Sequence, residues 1–120
     1  MKIIRLGDVK ASEINDSRLF VGKVSFKNVL DRKDSKSYWV FHASFSPGNR
    51  SVVHTHNTDQ LLYFTEGKGL VGTGTEEHEV ESGTLVFIPA GQRHYHGATS
   101  ATSCSHLAIL LEGPGGPDKK

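Results

Sequence analysis

Apolar and polar positions alternate with a period of two through most of the chain, and helical spacing is scarce. Residues 18–27 (RLFVGKVSFK) alternate as a half-buried strand does, and residues 37–46 (SYWVFHASFS) do the same before Pro47-Gly48 stops them. Residues 51–56 follow, then a turn at Asn57-Thr58-Asp59, then residues 60–65 (QLLYFT), ended by Glu66-Gly67-Lys68-Gly69. Residues 70–73 pair with 78–81 across a polar connection. Residues 85–89 and 94–96 are each entered through a glycine turn, and 106–111 (HLAILL) form the last strong run. About eight or more short strands at spacings of roughly 8–12 residues predict an all-β fold, a small antiparallel barrel or sandwich. Residues 1–16 carry a weaker pattern and are expected as an edge strand against a partner subunit. The tail at 113–120 (PGGPDKK after Gly113) is expected to be flexible, so the domain is placed at 1–112.

Alternation also predicts a core. Trp39, Phe41, Ala43 and Phe45 share one face, and Leu62 and Phe87 are expected to join them inside, with Phe41 and Ala43 at a pocket mouth. His42 has the opposite parity and belongs outside, and His78 sits among glutamates on an exposed hairpin. Composition then narrows the function classes. Lys and Arg number 14 against 13 Asp and Glu, a formal net charge of +1, which lacks the basic excess of a nucleic-acid footprint. The single cysteine, Cys104, has no internal disulfide partner and reads as a small buried apolar group. No apolar run approaches the ~20 residues of a membrane helix, and the N-terminus carries no secretory pattern, so a cytoplasmic protein is expected.

The chemistry lies in two segments. The first runs Gly48, His54, His56, Gln60, Gly67; the second runs Gly83, Pro89, Gly91, His94. His54 and His56 share strand parity, so both imidazoles face one side, and Gln60 and His94 are the candidates to complete a four-ligand metal site. A His-x-His pair alone does not specify a metal. The glycine and proline corners around both segments add a fixed register. His96 shares parity with His94 and is expected to face the same cavity as a base or as a hydrogen-bond partner. His106 opens a strand that is apolar on both faces, so parity does not orient it.

The spacing Gly-x5-His-x-His-x3-Gln-x6-Gly, followed by Gly-x5-Pro-x-Gly-x2-His, resembles the two signature motifs of the cupin superfamily. The resemblance spans roughly residues 40–111. It implies a double-stranded β-helix (jelly-roll) barrel holding one divalent transition metal (Mn, Fe, Ni, Co or Zn) on His54, His56, Gln60 and His94. Gln60 stands where most metal cupins carry glutamate, and Ala98 where the second motif often has asparagine. Three neutral imidazoles and a neutral amide leave the ion's charge near +2, which disfavours oxidation and strengthens Lewis acidity. That substitution favours redox-neutral lyase or isomerase chemistry over a dioxygenase.

The segment His94-Tyr95-His96-Gly97-Ala98, with Ser105 to Ile109, is more closely similar to small bacterial monocupins with a histidine–glutamine site. That group includes manganese-dependent hydroxynitrile lyases and cupins associated with carboxymuconolactone decarboxylase. Two departures stand: Tyr95 where tryptophan is common, and Leu110 where a polar residue can occur. The resemblance makes His96 and His106 the candidate catalytic histidines. It implies a metal-dependent enzyme acting on a small carbonyl or hydroxy compound by Lewis-acid and histidine acid/base chemistry. An Fe(II)-dependent dioxygenase and a non-enzymatic small-ligand or metal-binding barrel are the alternatives. The expected partners are a small-molecule substrate and a second subunit in a homodimer, with no nucleic acid and no membrane.

Overall fold

The structure, a computed structural model, describes residues 1–111, so the expected tail at 113–120 lies outside the described residues. Ten strands form the fold: β1 (Ser12–Ile14), β2 (Phe20–Val21), β3 (Val24–Leu30), β4 (Tyr38–Phe45), β5 (Arg50–Ser51), β6 (Gln60–Gly72), β7 (Glu77–Glu81), β8 (Leu85–Ile88), β9 (Tyr95–Ala98) and β10 (Cys104–Leu111). Every strand pairing is antiparallel, in the order β1-β3-β4-β10-β6-β9-β5-β2, with β7 and β8 also paired to β6. The sheet curls over its own apolar face, so the all-β barrel architecture expected from the alternation is the one observed. Among the described residues, no helix is long and apolar enough to cross a membrane.

β6 is the strand on which the curl depends. The alternation suggested two strands separated by Glu66-Gly67-Lys68-Gly69, but β6 runs unbroken through that stretch. Its first half pairs with β10 and β8, and its second half with β9 and β7. The register against β10 shifts between Ser105 and His106, a bulge that bends β6 from one part of the sheet into the other. Gly67 sits just past this bend at φ +72, and a Cβ there would lie 1.9 Å from the Ser103 carbonyl oxygen. Glycine here allows a close approach inside a strand and does not end it.

The core gathers Val24, Ala43, Phe45, Leu62, Phe64 and Ala108 from facing strands. Two expectations are corrected. Residues 18–27 are two strands, because Gly22 at φ +89 breaks them. Phe87 is 58% exposed, because β8 pairs Phe87 with Leu61 and turns Ile88 inward instead. All four residues of β8 are apolar, so its sequence offers no contrast between faces.

Candidate metal centre

The segment after β5 is not the regular strand that residues 51–56 suggested. Beyond Ser51 the chain makes a single antiparallel bridge, in which His54 and His94 exchange both backbone hydrogen bonds at 2.9 Å. Gly91 N–H donates to the His56 carbonyl at 2.9 Å, and Ala90 N–H donates to the Asp59 carboxylate at 2.9 Å. These bonds hold the turn at Pro89-Ala90-Gly91-Gln92 against the loop that carries His54 and His56. Two pieces some forty residues apart in sequence therefore share one backbone frame.

The ring nitrogens of His54, His56 and His94 lie within 4.8 Å of one another. The ring centroids of His54 and His94 are 4.3 Å apart, and those of His54 and His56 are 4.8 Å apart. His54 Nδ1 contacts the Val52 carbonyl at 2.7 Å, and His94 Nδ1 contacts the Gln92 carbonyl at 2.8 Å. A carbonyl only accepts, so in both rings the proton sits on Nδ1. In the neutral imidazole, Nε2 then carries the lone pair that a cation needs, with the ring aimed by its own backbone. Gln60, the first residue of β6, is 1% exposed, and its Oε1 is buried without a hydrogen-bond partner. A buried amide oxygen left without a donor is costly unless something positive meets it. Three imidazoles and one carbonyl-type oxygen form a donor set suited to a divalent transition metal.

His96 and His106 lie beside this group. His96 Nδ1 and His106 Nε2 are 3.1 Å apart, and both side chains are buried. His106 Nδ1 has no partner. A buried lone pair is tolerated better than a buried N–H without an acceptor, so His106 donates from Nε2 and His96 accepts on Nδ1. His96 therefore keeps its proton on Nε2. Burial is the main cause, with His106 next, holding the His96 imidazole well below its usual pKa. Burial, and secondarily the charge of His42, lowers His106 to about 3. Both rings are neutral at pH 7. Phe45 and Phe64 flank His106 at 5.4 and 5.1 Å between ring centroids.

A cavity of about 580 Å³ opens beside the cluster. His54, His56, Gln60 and His96 line it, with Trp39 and Phe41 among its apolar walls. His106 does not line it and stands behind His96, so its action on a bound molecule would pass through His96. Trp39 is anchored by Nε1–H donation to Asn28 at 3.1 Å, and its ring packs tilted against Phe41, with centroids 4.7 Å apart. Phe41 and Ala43, expected at the pocket mouth, are on the lining. His42 contacts Thr65 Oγ1 at 3.1 Å on the outer face, and His78 is exposed, both as their parity and surroundings suggested. Burial raises the Cys104 thiol to about 11, which keeps it protonated and unreactive.

The alternation did not reveal two supporting residues. Asp59 ties the turn at 89–92 to the histidine loop, and Ser51 accepts the His96 backbone N–H on its Oγ at 3.0 Å. An aspartate closing a polar turn was a visible signal for the first, since short acidic side chains readily accept backbone N–H groups. Nothing in the sequence singles out Ser51.

Comparison with known proteins agrees with the geometry. A family model described as a cupin domain matches residues 41–110. An (R)-mandelonitrile lyase from Granulicella tundricola is 33% identical over 110 residues, covering 91% of this chain and 83% of that protein. The crystal structure of a cupin-like protein from Thermotoga maritima superposes with a TM-score of 0.76 at 28% identity, covering 92% of this chain and 80% of that one. A polyketide cyclase from Streptomyces resistomycificus shares the fold with a TM-score of 0.81 at 22% identity, over 92% of this chain and 79% of its own.

Proposed function

The chain belongs to the cupin family, and we propose that it is a divalent-metal-dependent member acting as a redox-neutral lyase or isomerase on a small carbonyl or hydroxy compound. The observation that carries this reading is the convergence of His54, His56 and His94 beside the partnerless buried oxygen of Gln60, at the wall of a largely apolar cavity. These four residues would hold the ion. When bound, it would supply Lewis acidity to a carbonyl or hydroxyl oxygen. The neutral shell favours a stable divalent state over oxidation, which sets this reading above a dioxygenase.

The chain's own residues do the rest. His96, with Nδ1 engaged by His106, turns Nε2–H to the cavity, where it would donate a hydrogen bond to a substrate oxygen that gains negative charge. His106 fixes the tautomer of His96 and is a positioning residue. Trp39 and Phe41 exclude water and suit an apolar or aromatic substituent. The kinship with a protein named (R)-mandelonitrile lyase supports a cyanohydrin-type substrate, whose cleavage to an aldehyde and hydrogen cyanide needs one proton moved and no net redox change.

The test is elemental analysis of protein purified without added metal, joined to an anaerobic assay of mandelonitrile cleavage. One divalent ion per chain and oxygen-independent turnover are expected, both lost in His54→Ala and His94→Ala. A wild-type protein that retains no ion, or whose turnover requires oxygen, ends this reading.

A further inference from the structure

The cavity beside the four candidate ligands carries permanent charge of one sign. Its lining holds no Asp or Glu among the described residues, and its permanently charged side chains are Arg18 and Arg93. The two are not equivalent. Arg18 is already answered, because its Nε and Nη2 donate to the Asp16 carboxylate at 3.1 and 2.9 Å. Arg93 is exposed and has no ion pair or side-chain hydrogen bond among the described residues. Arg50, away from this lining, lies over the Tyr95 ring at 5.0 Å from its centroid.

The place of Arg93 makes that unanswered charge informative. It adjoins His94, whose backbone is locked to His54 by two hydrogen bonds of 2.9 Å, so its own backbone is held in the same frame. Asp59, the acidic side chain of that frame, accepts the Ala90 N–H and does not line the cavity. The walls between are apolar, with Phe20, Trp39, Phe41, Val52 and Leu110 among them. A cleft with apolar walls and one sign of charge focuses its field on an incoming ion of the other sign. Four neutral donors would offset none of a bound cation's charge, so an occupied centre would deepen the positive field. At about 580 Å³ the cavity falls within the ~300–1,000 Å³ of small-molecule sites, and both Gln60 and Arg93 line it. One molecule inside it can therefore meet both.

We propose that Arg93 selects a substrate carrying a carboxylate at the end remote from its reacting oxygen, so that the substrate class is an organic acid with an apolar or aromatic body. For the chemistry at the reacting end this rests on the lyase or isomerase reading given above. A guanidinium meets a carboxylate through two parallel N–H donors, and one cation matches one negative charge. A phosphate ester carries more charge than one guanidinium matches.

Binding to the protein as purified tests this, with para-formylbenzoate and its methyl ester as probes of similar size that differ in charge. The single tryptophan, Trp39, lines the cavity, so its fluorescence reports occupancy. At ~0.1 M salt the wild-type protein should bind the carboxylate about tenfold more tightly than the ester, and at ~1 M salt that preference should shrink. Arg93→Gln should bring the ratio to about one, with circular dichroism and bound metal at wild-type levels. Arg93→Lys should keep an intermediate preference, because an ammonium retains the charge and lacks the planar fork. Equal binding of acid and ester by the wild-type protein overturns the proposal even where mandelonitrile is cleaved. A preference that survives in folded Arg93→Gln overturns it as well. Failure of the lyase reading is seen separately, in the ion content and the oxygen requirement.

Discussion

Gln60 is the residue on which the proposed chemistry turns. An amide there leaves the centre more positive than a carboxylate would, and leaves Oε1 buried without a donor. Gln60→Glu should therefore act in opposite directions in the two states. Metal affinity should rise about tenfold or more, at least ~1.4 kcal/mol, read by competition with a chelating dye. The metal-free protein should lose about 2 kcal/mol, because an unpaired carboxylate replaces a neutral group. Burial raises such a carboxyl above its unfolded value near 4.3. The loss should thus be absent below about pH 4 and grow as pH rises through the folded value. His106 makes the converse case. Its folded pKa, about 3, lies below the usual 6.5, so the unfolded chain binds its proton first. Its contribution is full above pH 6.5 and is lost as pH falls towards 3. The metal-free protein should unfold in that window, and His106→Leu should move the acid midpoint downward in a circular dichroism titration. At this scale the sequence was most legible for His54, His56, Gln60 and His94, whose spacing carried the family pattern. The placement of His106 behind His96 was not, because its strand is apolar on both faces and parity had nothing to read.

Among the elements, β6 separates what pattern can reveal from what packing decides. Two glycines within four residues look like a turn, and the expected break at 66–69 followed from that. The strand continues because the bulge opposite Ser105 and His106 bends it, and Gly67 lets the Ser103 carbonyl approach. Sequence marks a glycine without saying which backbone comes near it. Gly67→Ala should consequently cost about 3 kcal/mol, from a left-handed φ and a backbone clash together. Gly83→Ala, with φ +90 but open space around it, should cost only about 1 kcal/mol. Urea unfolding of the two variants checks the ratio, and equal losses would mean that the close approach at Gly67 is unimportant. The same lesson holds for β8, whose run of four apolar residues hid the outward turn of Phe87. Alternation identifies a face only where the other face is polar, and the outer rows of β4, β10, β6 and β8 are not.

For the whole molecule, the candidate site is a clasp between distant stretches of chain. His54, His56 and Gln60 come from one side of the curl and His94 from the other, joined by the single bridge of His54 and His94 and by the Asp59–Ala90 bond. An ion held by all four binds the folded chain and finds no such site in the unfolded one. Its binding energy therefore adds to folding. At a free metal concentration about a hundred times the dissociation constant, that addition is about 2.7 kcal/mol. With unfolding entropy near 2.1 cal/mol/K per residue, this corresponds to a rise of about 10 °C in melting temperature. Stripping with a chelator should lower the melting point by that amount, and returning Mn²⁺, Fe²⁺, Co²⁺, Ni²⁺ or Zn²⁺ at equal free concentration should restore it in the order of their affinities, with the logarithm of each. His94→Ala should melt near the stripped wild-type protein and show no response to any of them. The rank of the five ions in this assay identifies the metal the clasp prefers, a choice that donor types alone do not make. A stripped wild-type protein that melts where the loaded one does would mean that the four side chains meet without holding an ion between them.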